Sequence, residues 1–176
     1  MNEREIFINL GVTVEYNDND YDIYPLSIIH SVHRTREAAS EARYDLARSE
    51  SQGWQPHEIS LGCMKGAATV EEAVLLNIAM CDARVTSEDW ESGEALYALL
   101  APSSAEMNEW GPSWTAPKCW GVSRRDDAMA LAETVTRTLR EVSHQVCGAD
   151  GEGSWMMQHL SEMMRLHPLE IPERDA

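Results

Sequence analysis

Ile6, Ile8, Leu10, Val12, Val14 and Tyr16 alternate with Glu5, Asn9, Thr13 and Glu15. A period of two predicts a half-buried β-strand near the start of the chain. Asn17-Asp18-Asn19-Asp20 tolerates left-handed turn geometry, so a hairpin is expected there. A second strand follows from about Tyr21 to Val32, with Pro25 favouring an edge or an irregularity. Thr35 suits a helix N-cap, and Ala38, Ala42 and Leu46 recur at helical spacing until Gly53. Beyond Trp54 and Pro56, Ile59, Leu61 and Cys63 alternate again as a third strand. The order is ββαβ, a small sheet with one helix laid across it.

From Gly66 the period lengthens to that of a helix. Thr69-Val70-Glu71-Glu72 has the form of a capping box, and the run Ala73 to Cys81 behind it is apolar on every side except at Asn77. That pattern predicts a central buried helix, in which Asn77 needs a hydrogen-bond partner. A further helix is expected from Thr86 or Ser87 to just before Pro102. Trp90, Leu96, Tyr97 and Leu100 share one side of it, and Glu88, Glu91 and Glu94 another. Residues 110–121 hold Trp110, Trp114 and Trp120 among Pro and Gly and read as an aromatic loop. Ser123 then opens the clearest helix, with Ala128, Leu131, Ala132, Val135, Leu139, Val142 and Val146 in one stripe and Gly148 at its end. A Gly-rich hinge precedes a last helix carrying Trp155, Met156, Met157, Leu160, Met163, Met164 and Leu166, which Pro168 ends. No internal repeat is visible. The fold class predicted is α+β. An N-terminal ββαβ lobe (residues 1–64) packs on a C-terminal set of about four helices (65–176), the two sharing one core.

Charge changes the picture most. Thirty acidic residues face fourteen basic ones, giving a net charge of −16 on 176 residues. Such a molecule repels nucleic acid and anionic membrane and attracts basic proteins. With 43% hydrophobic residues the acidity belongs to a chain able to fold. Residues 71–109 hold nine acids against Arg84 alone. Nucleic-acid binding needs clustered Lys or Arg, and the densest groups, Arg34 with Arg36 and Arg124 with Arg125, lie beside acids. No apolar run of signal-peptide or membrane-spanning type is present, which predicts a soluble, cytoplasmic protein.

Reaction signatures are missing from the sequence: it has no GxGxxG, no Walker-type GK[ST], no HExxH and no GxSxG. Asp18, Asp20 and Asp22 imitate the opening of a calcium loop, but Ile23 and Ile29 occupy the positions that need Gly and Glu. Cys63, Cys81, Cys119 and Cys147 are scattered and read as free thiols. His30 with His33, and His144 with Cys147, lack a second pair at ligand spacing. No metal and no cofactor is expected.

The function expected is therefore that of an acidic, non-catalytic binding protein. It would inhibit or regulate a basic, nucleic-acid-handling protein, a nuclease or a nucleic-acid-guided complex, with surface carboxylates acting as a DNA mimic. The residues expected to meet that partner are Glu71, Glu72, Glu88, Asp89, Glu91, Glu94, Trp110 and Trp114. Two readings of the last helix stand. Either it closes the core, or Trp155, Met156, Leu160 and Met163 bury against a symmetry mate in a homodimer. The alternative function is a small cytosolic enzyme with a site between the lobes, using His30, His33 or His57 with Glu58 or Asp22. A third reading assigns the charge to salt adaptation.

Overall fold

The first strand, β1 (Glu3–Val14), finds apolar cover on both of its faces and so takes the centre of a sheet. Ile6, Ile8 and Leu10 point one way and are fully buried, while Phe7 and Asn9 point the other way and are buried as well. The computed structural model describes residues 3–14, 25–52, 69–76, 78–109, 111–115, 117–148 and 152–172. β1 is flanked by β2 (Pro25–His33) and β3 (Ile78–Thr86), both antiparallel to it. Asn9 pairs with Ser31 and Leu10 with Ile29, so His30 is an extra residue, a β-bulge in β2.

Between β2 and β3 the chain forms two helices. Thr35 caps α1 (Arg36–Ser51), its hydroxyl accepting from the Ala38 amide at 3.3 Å. The capping box at α2 (Val70–Leu76) forms as its sequence requires. The Glu72 amide donates to Thr69 Oγ1 and the Thr69 amide to Glu72 Oε2, each at 3.2 Å. α2 stops at Leu76 and the chain re-enters the sheet as β3, so the long buried helix expected through Cys81 does not exist. Thr86 then caps the short helix α3 (Ser87–Glu91), accepting from the Asp89 amide at 3.1 Å.

The second half repeats this plan. β4 (Leu96–Pro102) is central, with β7 (Pro117–Arg124) and β8 (Arg165–Leu169) antiparallel on either side. A hairpin of β5 (Ala105–Asn108) and β6 (Gly111–Trp114) interrupts the path from β4 to β7. α4 (Arg125–Cys147) and α5 (Glu152–Met163) connect β7 to β8 as α1 and α2 connect β2 to β3. The two sheets, ordered β2-β1-β3 and β7-β4-β8, each begin at the centre and end at an edge. This is a structural repeat that residue spacing did not reveal.

The fold is α+β, but the segment expected to be about four helices also contributes six strands. The helix expected from 86 to 101 is α3 followed by β4. The aromatic loop is β6 and β7, and the last helix ends at Met163 so that Arg165 to Leu169 can pair with β4. Pro168 is accommodated there because β8 lies at a sheet edge. α4 follows the expected stripe, with Ala128, Val135 and Leu139 buried, but Ser123 belongs to β7 and Arg124 holds the N-cap position without a side-chain cap. Gly148 closes α4 at φ 76°, its amide donating to the His144 carbonyl. The third strand of the ββαβ lobe, at Ile59–Cys63, and the partner sought for Asn77 lie outside the described residues.

Both sheets face one interior. Ile6, Ile8 and Leu10 of β1 meet Ala83 and Val85 of β3, Leu96, Ala98 and Leu100 of β4, and Val122 of β7. β3 and β7 run side by side, and Arg34 Nε at the end of β2 donates to the Pro172 carbonyl beyond β8 at 2.6 Å. The outer faces are covered by helices. Asn9 reaches α1, its Nδ2 donating to the Ala39 carbonyl at 2.8 Å and to Ser31 Oγ at 3.0 Å. Leu99 and Ala101 of β4 pack on Val135 and Leu139 of α4 and Leu160 of α5. Among the described residues no helix is long and apolar enough to cross a membrane.

Candidate functional site

The carboxylates expected to face a partner are distributed between structural and free roles. Asp89 is buried, and Arg124 Nε donates to its Oδ1 at 2.7 Å, tying α3 to the end of β7. The hydrogen bond to Asp89, ahead of its charge, raises the Arg124 pKa and holds the guanidinium charged. Glu88 lies 3.5 Å from the same guanidinium, and Glu91 lies 3.9 Å from Arg4. The acidic side of α3 is thus largely answered from within the molecule. Asp89, expected to meet a partner, is thus buried and paired within the chain at 2.7 Å. Glu71 stands 3.5 Å from Arg48, Glu72 caps its own helix, and Glu94 is exposed with no ion pair among the described residues.

The aromatic and Met-rich positions also resolve differently. Trp114 is half-buried and its Nε1 donates to the Met156 carbonyl at 2.9 Å, which stitches the β5–β6 hairpin to α5. Met156, Leu160 and Met163 are 0%, 1% and 2% exposed within a single chain. All three are thus covered within the single chain, Leu160 by Leu99 and Ala101 of β4 and Val135 and Leu139 of α4. Trp110 and the side chain of Trp155 lie outside the described residues.

α1 carries exposed carboxylates that the expectation passed over, although the spacing of Glu37 and Glu41 is visible in the sequence. Glu37 and Glu41 stand one turn apart, and Glu50 lies further along on the other side of the helix. All three are exposed and without an ion pair among the described residues, and Tyr44, beside Glu37 and Glu41, is 48% exposed. Asp45 on the same helix shares Arg48 with Glu71.

The charge reverses on the opposite side of the molecule. Two cavities of about 500 and 480 Å³ adjoin along α4, sharing Ala132, Thr136 and Leu166. Met129, Glu133, Arg137 and Arg140 complete the first, and Met157, Leu160, Ser161, Met164 and Arg165 the second. Most described arginines elsewhere are engaged: Arg4, Arg36, Arg48, Arg84 and Arg124 with carboxylates, and Arg34 and Arg43 with carbonyls. Arg137, Arg140 and Arg165 are exposed and have no ion pair among the described residues. Sequence spacing had marked α4 only for its buried stripe. Arg165 joins the other two because β8 returns beside α4, which no local pattern encodes.

Of the residues of the enzyme alternative, His30 and His33 lie among the described residues. His30 sits over Gly11, where a methyl group would stand 2.6 Å from its Cδ2, so the ring fills space left by the missing side chain. His57, Glu58 and Asp22 lie outside the described residues, as does the calcium-like turn. Burial pushes the Cys119 thiol up to about 12, with Cys81 adding to the shift, and burial also raises Cys81. Among the described residues no group of three metal-ligating side chains occurs. Compared with known proteins, the chain matches no family model, and no curated protein and no solved structure is significantly similar to it.

Proposed function

We propose that this protein is a non-catalytic binding protein, an acidic inhibitor or adaptor of a basic, nucleic-acid-handling protein such as a nuclease or a nucleic-acid-guided complex. The observation that carries the reading is the outer face of α1. Glu37 and Glu41 stand exposed beside an exposed Tyr44, without an ion pair among the described residues, and the Glu71 carboxylate of α2 lies nearby across Arg48. Four residues of helix advance about 6 Å, so Glu37 and Glu41 form a short row of negative charge on a rigid element. With a net charge of −16 behind it, that row steers a cationic groove toward the α1 face from beyond contact distance. Tyr44 supplies the large, amphipathic contact that interface centres favour. Glu94 extends the negative field, while Asp89 serves the fold.

The test is affinity capture from the native cell, with the wild-type chain and a Glu37→Lys/Glu41→Lys variant as parallel baits. A basic nucleic-acid-handling protein is expected to leave the wild-type bait early in a salt gradient and to be missing from the variant eluate. Retention of the same proteins by both baits, or elution of acidic proteins only, overturns the reading.

A further inference from the structure

The cavities along α4 form one open trough whose floor is apolar and whose rims are cationic, the reverse of the molecule around it. Between Met129 and Arg140 the trough follows about 16 Å of helix axis at 1.5 Å per residue. Leu160, Met164 and Leu166 supply the floor. Arg137 and Arg140 stand on the α4 rim and Arg165 on the β8 rim, none of them with a carboxylate within 4.0 Å among the described residues. Their freedom at one place is a geometric result of where β8 returns.

We propose that this trough docks an acidic amphipathic helix of a partner protein, about three turns long, with its apolar stripe on the Met164–Leu166 floor. Its carboxylates meet Arg137 and Arg140 along one flank and Arg165 along the other, in the forked geometry that guanidinium and carboxylate share. The shape selects a helix over a small amphiphile. The trough is open along its length, whereas a pocket for a small molecule encloses most of its ligand. A helix needs only one face covered, and Met side chains re-pack to fit such a face. Glu133 lies on the same rim one turn before Arg137 and repels an acid at that end, so the bound helix carries its acids toward Arg140. This surface is separate from α1, and the inference stands or falls independently of the proposed function.

The probe is a fluorescein-labelled peptide of about 14 residues, Ala-rich to favour helix, with Leu at helical spacing and Glu on both flanks. Anisotropy is read at about 0.15 M salt, where charges farther apart than about 8 Å are screened. Saturable binding is expected, at least about tenfold weaker with Arg137→Glu/Arg140→Glu or with Arg165→Glu, and absent for a scrambled peptide; tenfold is the effect of losing a single charge-assisted contact. A peptide with Lys in place of Glu should bind the Arg137→Glu/Arg140→Glu variant better than the wild type, a rescue that misfolding cannot produce. No saturable binding, equal binding of Glu and Lys peptides, or unchanged affinity in the Arg variants overturns the proposal. Binding of dodecanoate in place of the peptide overturns it equally, by assigning the trough to a small amphiphile.

Discussion

Replacing Gly11 by Ala should destabilise the protein, and removing the His30 ring should erase that effect. A methyl at position 11 would stand 2.6 Å from His30 Cδ2 and closer still to Nε2. No atoms tolerate that separation, so either the ring rotates away or β1 and β2 part at the bulge. Overpacking of this kind costs about 1–3 kcal/mol, and an off-rotamer ring about 0.5–1.5 kcal/mol; a net loss of about 1–3 kcal/mol is expected for Gly11→Ala. In a His30→Ala background the space is open. There the methyl acts mainly by restricting the unfolded chain, and Gly11→Ala should be neutral or stabilising by about 0.5–1 kcal/mol. The two positions should therefore couple by about 2 kcal/mol, in the upper part of the range for residues in contact. The assay is urea unfolding of the four proteins followed by Trp fluorescence, with midpoints compared at a common slope. An equal cost of Gly11→Ala in both backgrounds would refute the reasoning, since the ring would then not be the reason for the glycine.

Leu160→Ala should cost about 2–5 kcal/mol through the cavity it leaves among Leu99, Val135 and Leu139, with no change of molar mass by light scattering; unchanged stability with a lowered mass would restore Leu160 to a dimer interface. Glu94→Lys should leave the urea midpoint within about 0.5 kcal/mol of wild type, whereas Asp89→Lys should unfold the chain by setting a buried ammonium against Arg124; equal stability of the two variants would contradict the structural role of Asp89. The Cys119 thiol, raised to about 12 in the folded state, ionises more readily in the unfolded chain, near 8.5. Its contribution is intact below that pH and is lost as pH climbs toward 12, so stability should fall across that window at up to about 1.4 kcal/mol per pH unit. Cys119→Ala should flatten this alkaline slope, and identical slopes for the two proteins would show that the thiol is not the group responsible.

Where one face of an element is buried and the other wet, the residues alone were enough: the Thr35 cap of α1, the capping box at Thr69 and the stripe of α4 stand in the structure as read. The alternation of β1 gave the strand, but not the burial of its second face, where Phe7 and Asn9 are covered as well. Periodicity failed where an element is buried on both faces. β4 places Leu96, Ala98 and Leu100 against the facing sheet and Leu99 and Ala101 against helices, so its apolar run is unbroken and reads equally as helix. β3 was hidden for another reason: Ile78 to Cys81 continue the apolar run of α2 without a Gly or Pro between them. Composition established that the molecule is strongly acidic, but not which carboxylates are free. Arg124 takes Asp89 and Glu88 from a distance of more than thirty residues, and that depends on β7 ending beside α3. The trough has the same origin: Arg165 meets Arg137 and Arg140 only after β8 pairs with β4. Local pattern carries the information for single elements, whereas a surface composed across elements is decided by pairing and packing between residues far apart in the chain.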